Sequence, residues 1–155
     1  MQIFRKVSLN WDLWRFTAPQ QGNRESNIVM TSTPRVAVAY TAQPAFAAAA
    51  RAKLLEYVAD LELEEDRLFA ILYAVGEAVA NAIEHSSAGP SDTFYFCIER
   101  SSDRLLIQVE SNGCWKPFEP TEEGGRGVPI MQALADHVNI ITNNEKTTVH
   151  LSFRL

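Results

Sequence analysis

Residues 68–86, LFAILYAVGEAVANAIEHS, constrain this chain more than any other stretch. Leu68, Leu72, Val75, Val79 and Ile83 recur at the helical period and predict one long amphipathic helix with that row toward a core. Ala70, Ala74, Glu77 and Asn81 fall on the opposite side. Glu77 and Asn81 are one turn apart, so their side chains point the same way, and the alanines let another group approach the backbone. A carboxylate that takes a proton and an amide oxygen that ligates a metal are what Mg²⁺-assisted phosphoryl transfer requires. On this helix alone the plainer reading, a solvated polar face, has the better claim. The stretches downstream shift that balance.

A chain of 155 residues, nearly half of them apolar, fits one domain with a real core. Its net charge of -5 argues against an unspecific hold on nucleic acid or on an anionic membrane. Cys97 and Cys114 are too few and too poorly spaced for a disulfide framework or a zinc site, and Cys97 reads as a buried strand residue. No apolar run reaches membrane-spanning length and the first residues lack a hydrophobic signal core, so a cytoplasmic protein is expected.

Residues 1–34 form an arm or linker in this reading. Trp11, Trp14 and Phe16 lie among charges without a sustained period, and PQQGNRESNIVMTST (19–33) is polar and rich in turn formers. The tryptophan segment reads either as a docking or dimerisation arm or as an unstructured leader, and Met30 is an alternative translation start. The domain begins near Arg35. Residues 36–42 predict a strand, 45–61 a helix rich in alanine and leucine, and Glu62 to Glu65 an acidic entry to the long helix. SSAGPS (86–91) stops that helix. Strands are expected over 93–99 and 104–110 as a hairpin, a helix over 128–136, and two last strands over 138–142 and 147–154. This order predicts an α/β two-layer sandwich, its helices on one face of a mixed β-sheet.

Two further stretches carry chemistry. SNGCWKPFEP (111–120) follows a strand directly, and Gly113 permits a tight turn beside a ligand. Gly124-Gly125-Arg126-Gly127 leads straight into a helix, where backbone N–H groups and the helix N-terminus favour a phosphate and Arg126 can pair with one. No Gly-Lys-Ser/Thr follows, so this is not a P-loop. Alone, each stretch is an ordinary glycine turn.

In this order and spacing the three stretches resemble the boxes of the GHKL ATPase superfamily. EAVAN (77–81) is similar to its N box, SNGCW (111–115) to its first glycine box and GGRGVPIMQALAD (124–136) to its second. AVGEAVANAIEHS, GRGVPIMQALAD and the short gap between the glycine boxes resemble the anti-sigma-factor serine kinases, which phosphorylate STAS-domain anti-anti-sigma partners. The resemblance covers roughly Arg35 to Leu155 and implies a Bergerat-type sandwich that binds ATP and Mg²⁺ and forms homodimers. It implies Glu77 as general base, Asn81 as Mg²⁺ ligand, and Gly125, Arg126, Gly127 and Val128 as the phosphate-holding turn. Ser111 and Gly113 fall at the adenine-reading box, Thr148 of the pair Thr147-Thr148 at the adenine edge, and Arg51 at a helpful arginine on the first helix.

One position departs from the pattern. The first glycine box normally carries Asp two residues before its Gly, and here that residue is Ser111. Two readings follow: an ATP-dependent serine/threonine kinase and anti-sigma regulator, or a non-catalytic module that binds a sigma factor or STAS protein with weak or lost ATP binding. Neither involves direct contact with nucleic acid or membrane.

Overall fold

The structure, a computed structural model, describes residues 34–113 and 125–155. The expectations for Trp11, Trp14, Phe16, Met30, Cys114 and Gly124 lie outside these residues.

Strand β1 (Arg35–Thr41) leads through Gln43 into helix α1 (Pro44–Val58). Pro44 opens α1 because a proline at the first helical position has no N–H to lose and a preset φ. Alanines carry the helix, and Ala50, Leu54 and Val58, four residues apart, bury its inner stripe. Helix α2 (Glu65–Glu84) follows, with Glu65 and Asp66 in its first turn where the helix dipole favours carboxylates. After a short 3-10 turn at Gly89–Ser91 come strands β2 (Thr93–Arg100) and β3 (Arg104–Asn112). Helix α3 (Gly127–Leu134), strand β4 (His137–Thr142) and strand β5 (Lys146–Arg154) complete the described chain.

The five strands form one sheet in the order β1-β2-β3-β5-β4, and α2 packs against both β3 and β5. Helices on one face of a single sheet make the expected two-layer sandwich. Every adjacent pair is antiparallel, a correction to the mixed sheet read from the element order. Strands β3 and β4, joined through α3, do run the same way, but β5 inserts between them and pairs with both. Their parallel relation therefore never becomes a ladder.

Alternation sorts the sheet's two faces. Phe94, Phe96 and Ile98 of β2, Leu105, Ile107 and Val109 of β3, and Val149, Leu151 and Phe153 of β5 form the core with the helices. Each such large side chain contributes about 1.5–3 kcal/mol when removed from water. Cys97 is buried and free, as its strand position predicts, and the Arg35 guanidinium donates to its sulfur at 3.2 Å.

Helix α2 sits rotated from the face the leucine row predicts. Its buried residues are Ile71, Ala74, Val75, Ala78, Val79 and Ala82, whereas Leu68, Leu72 and Ile83 are only partly buried. Alanines bring the helix close to the sheet, and the longer leucines fill the margins. Ala74 is therefore core, not part of an open polar side. The start of α2 is tied down by Arg67, which donates to the Asp136 carboxylate and to the Arg154 carbonyl at 2.8 Å.

Candidate functional site

Rotation of α2 puts Glu77 and Asn81 at the boundary of its buried face, half-exposed, on the side where α3 packs. The first residue of α3 is Gly127. A Cβ added there would lie 3.0 Å from Glu77 Oε2, 3.2 Å from Asn81 Nδ2 and 3.6 Å from Asn81 Oδ1. The second glycine stretch thus comes to rest against the carboxylate and the amide of α2, and a side chain at Gly127 would fit only if Glu77 and Asn81 moved aside. Gly125, two residues earlier, has φ +81, a left-handed conformation that glycine adopts without penalty. Among the described residues helix α3 has no side-chain cap at its start, where the first N–H groups of a helix lack intrahelical acceptors. Arg126 is exposed at that N-cap position and Val128 is partly buried against the core.

The first glycine stretch is built differently. Gly113 has φ +140, and a Cβ on it would stand 2.2 Å from the His85 carbonyl oxygen at the end of α2. Its N–H donates to the Glu145 carbonyl at 2.8 Å, and its carbonyl accepts from Thr147 Oγ1 at 2.9 Å. Ser111 is buried on the helix side of β3, opposite Thr147 of β5. Together with Asn81, Ala78, His85 and Val109 these two residues line a crevice with about 10 Å³ of free space, the room of one water.

Asp92 organises this end of the site and was missed in the sequence. Buried, it accepts from Asn112 Nδ2 and Thr93 N–H at 2.8 Å each, from Ala88 N–H at 3.1 Å and from Ser87 Oγ at 3.2 Å. The Asn112 amide, and behind it these other donors, hold its carboxyl below the ordinary value despite burial. Asn112 is therefore committed to Asp92. Glu110 faces the other side of the sheet, where it pairs with Lys146 at 3.1 Å and accepts from Thr148 Oγ1 at 3.2 Å.

Two expected site residues lie elsewhere. Thr148 shares the Glu110 face, because strand alternation turns it away from the helices, and Thr147 takes the position beside Ser111. The signal was legible: Thr147 is in phase with Val149, Leu151 and Phe153. Arg51 is exposed on α1 at the edge of a separate apolar cleft with Leu72 and Gly76. It does not line the crevice between Ser111 and Thr147. Among the described residues no cluster of three or more His, Cys, Asp or Glu is placed to hold a metal ion.

The site thus sets a helical pair of Glu and Asn against a glycine-led helix over an antiparallel sheet. The histidine kinase-like ATPase domain family matches residues 40–153, and the chain belongs to that family. It is 32% identical over 117 residues to an anti-sigma F factor of Bacillus cytotoxicus, covering 66% of this chain and 80% of that protein. An anti-sigma F factor of Bacillus cereus is 30% identical over the same shares. The fold is also similar to part of a solved structure, that of the RsbU and RsbW domains of Rv1364c from Mycobacterium tuberculosis, with a TM-score of 0.61 at 23% identity. That likeness covers 79% of this chain and 33% of the mycobacterial one. Among the described residues no helix is long and apolar enough to cross a membrane.

Proposed function

We propose that this protein is an ATP-dependent serine/threonine kinase and anti-sigma regulator, acting in the cytoplasm on a STAS-type anti-anti-sigma protein or a sigma factor. The observation that carries the proposal is the approach of Gly127 to Glu77 and Asn81, at 3.0 and 3.2 Å from the position of an added Cβ. A cradle that a methyl group would fill, beside an uncapped helix start, fits a phosphate chain better than it fits a packing contact. ATP bound there supplies the phosphoryl group. Glu77, which has no ion-pair partner among the described residues, accepts the proton of the substrate hydroxyl. Asn81 supplies an oxygen to Mg²⁺, and Gly125, Arg126, Gly127 and Val128 hold the phosphates. Homodimer formation is part of the same reading.

The test is calorimetric titration with ATP and Mg²⁺, followed by transfer of labelled phosphate to a STAS protein. Glu77→Ala is expected to bind ATP and transfer nothing; Asn81→Ala is expected to lose the Mg²⁺-dependent part of binding. Binding that ignores both metal and Asn81 would remove Asn81 as a ligand.

A second reading, a binding module with little or no ATP affinity, is favoured by Ser111 and by the narrowness of the crevice beside it. A charge-assisted hydrogen bond contributes about 1.5–3 kcal/mol against about 0.5–1.5 for a neutral one. The difference, roughly 1.4 kcal/mol, is about tenfold in affinity. Ser111→Asp is accordingly expected to tighten ATP about tenfold and to sharpen discrimination against GTP. Equal affinity in both proteins would sink the assignment of this position to base reading, and no binding in either would favour the module.

A further inference from the structure

Phe69 and Tyr73, one turn apart on α2, are 60% and 46% exposed and stack on each other with ring centroids 5.6 Å apart. Among the described residues the Tyr73 hydroxyl has no hydrogen-bond partner. The same helical row begins with Glu65 and Asp66 and runs on through Tyr73 to Glu77. Glu62, Glu64, Glu65 and Asp66 are all exposed, and none forms an ion pair among the described residues. Of the nearby cations, Arg67 is spent on Asp136 and the Arg154 carbonyl, and Arg51 of α1 borders the cleft with Leu72 and Gly76. The row therefore reads carboxylate, aromatic, aromatic, carboxylate, and ends at the proposed base.

We propose that this row of α2 is the docking face for a cationic segment of the protein partner. Arg or Lys stems of that segment lie over Phe69 and Tyr73, and their charged heads reach Glu65 and Asp66. Charge and chemistry select this occupant. Exposed rings attract guanidinium and ammonium groups over their faces, and the flanking carboxylates add a complementary field. A second copy presenting the same row would meet acid with acid, and phosphate-bearing nucleic acid or membrane would be repelled. The inference rests on the kinase reading only for its geometry. Asp66 and Phe69 precede Glu77 by about 16 and 12 Å along the helix axis. A basic residue held there sits some four to five extended residues from a hydroxyl presented to Glu77.

The experiment reads binding without nucleotide, so its failure and a failure of the kinase reading are separate results. The full chain, labelled with nitrogen-15, is titrated with a capped alanine–glutamine peptide of about 15 residues carrying Arg along one helical face. Matching peptides carry Gln or Glu in place of Arg. The Arg peptide is expected to shift the amides of Asp66, Phe69 and Tyr73 and to weaken with added salt. Phe69→Gln with Tyr73→Gln is expected to weaken it about tenfold, and Asp66→Asn about threefold, with unchanged circular dichroism. If the double variant loses its fold, Phe69→Ser alone takes its place. Equal binding of the Gln peptide, shifts mapping to another face, or no shifts at all would overturn the proposal. So would concentration-dependent shifts of the same amides without peptide, which would assign the face to a second copy.

Discussion

Gly113 and Gly76 both lie beside α2, and their surroundings make opposite demands. Gly113 combines φ +140 with the His85 carbonyl 2.2 Å from any added Cβ, so alanine there strains the backbone and pushes α2 from β3. Gly113→Ala is expected to destabilise by about 3 kcal/mol or more, seen as a lower urea midpoint. Gly76 is a helical glycine with nothing within 4 Å of an added Cβ, so Gly76→Ala is expected to raise stability by about 1 kcal/mol. Gly127 is intermediate: its added Cβ meets two flexible side-chain ends at 3.0 and 3.2 Å, which can give way. Gly127→Ala is expected to change stability by less than about 1 kcal/mol while weakening nucleotide binding, because Glu77 and Asn81 must rotate. Calorimetric titration alongside thermal melting separates those two effects.

At the scale of the element, periodicity made most of this fold legible. Helix α1, helix α2, the hairpin β2–β3 and the pair β4–β5 fall within a few residues of where pattern puts them. The face of α2 was less legible, because leucines outweigh alanines in a hydrophobic row although alanines pack closest to the sheet. Gly113 and Gly127 were legible as candidate glycines, but the reason for each lies in a distant segment. The His85 carbonyl stands against one, Glu77 and Asn81 against the other, and no local pattern contains those contacts. Asp92 was invisible for the same reason: four donors from the α2–β2 connection, β2 and β3 converge on one carboxylate. Asp92→Asn replaces an acceptor oxygen facing Ala88 N–H and Ser87 with a donor amide. The expected result is loss of about 1–3 kcal/mol and faster hydrogen exchange at Ala88 and Thr93.

At the scale of the molecule, acid acts on stability through two kinds of group among the described residues. Burial lowers the pKa of His150, with Glu110 opposing only in part, so the folded protein resists its protonation. The unfolded chain then binds more protons below the ordinary histidine value of about 6.5, and stability falls as pH drops through that value toward the lowered folded one. Asp92 and Asp136 have lowered pKa values, Asp92 chiefly through Asn112, and Asp136 because the Arg154 N–H and Arg67 outweigh burial. Their contribution is present above about pH 4 and lost as pH falls through their folded values. Thermal melts are expected to decline in two stages, below about pH 6.5 and again below about pH 4, and His150→Gln is expected to remove the first. The position of β5 has a further consequence for a chain made from one end. Since β5 follows β4 yet lies inside the sheet against β3, a nascent chain that has emerged only as far as β4 carries β3 as a bare edge. The Gly113 turn, whose partners Glu145 and Thr147 come with β5, cannot close until then. Any competence for nucleotide thus waits for β5.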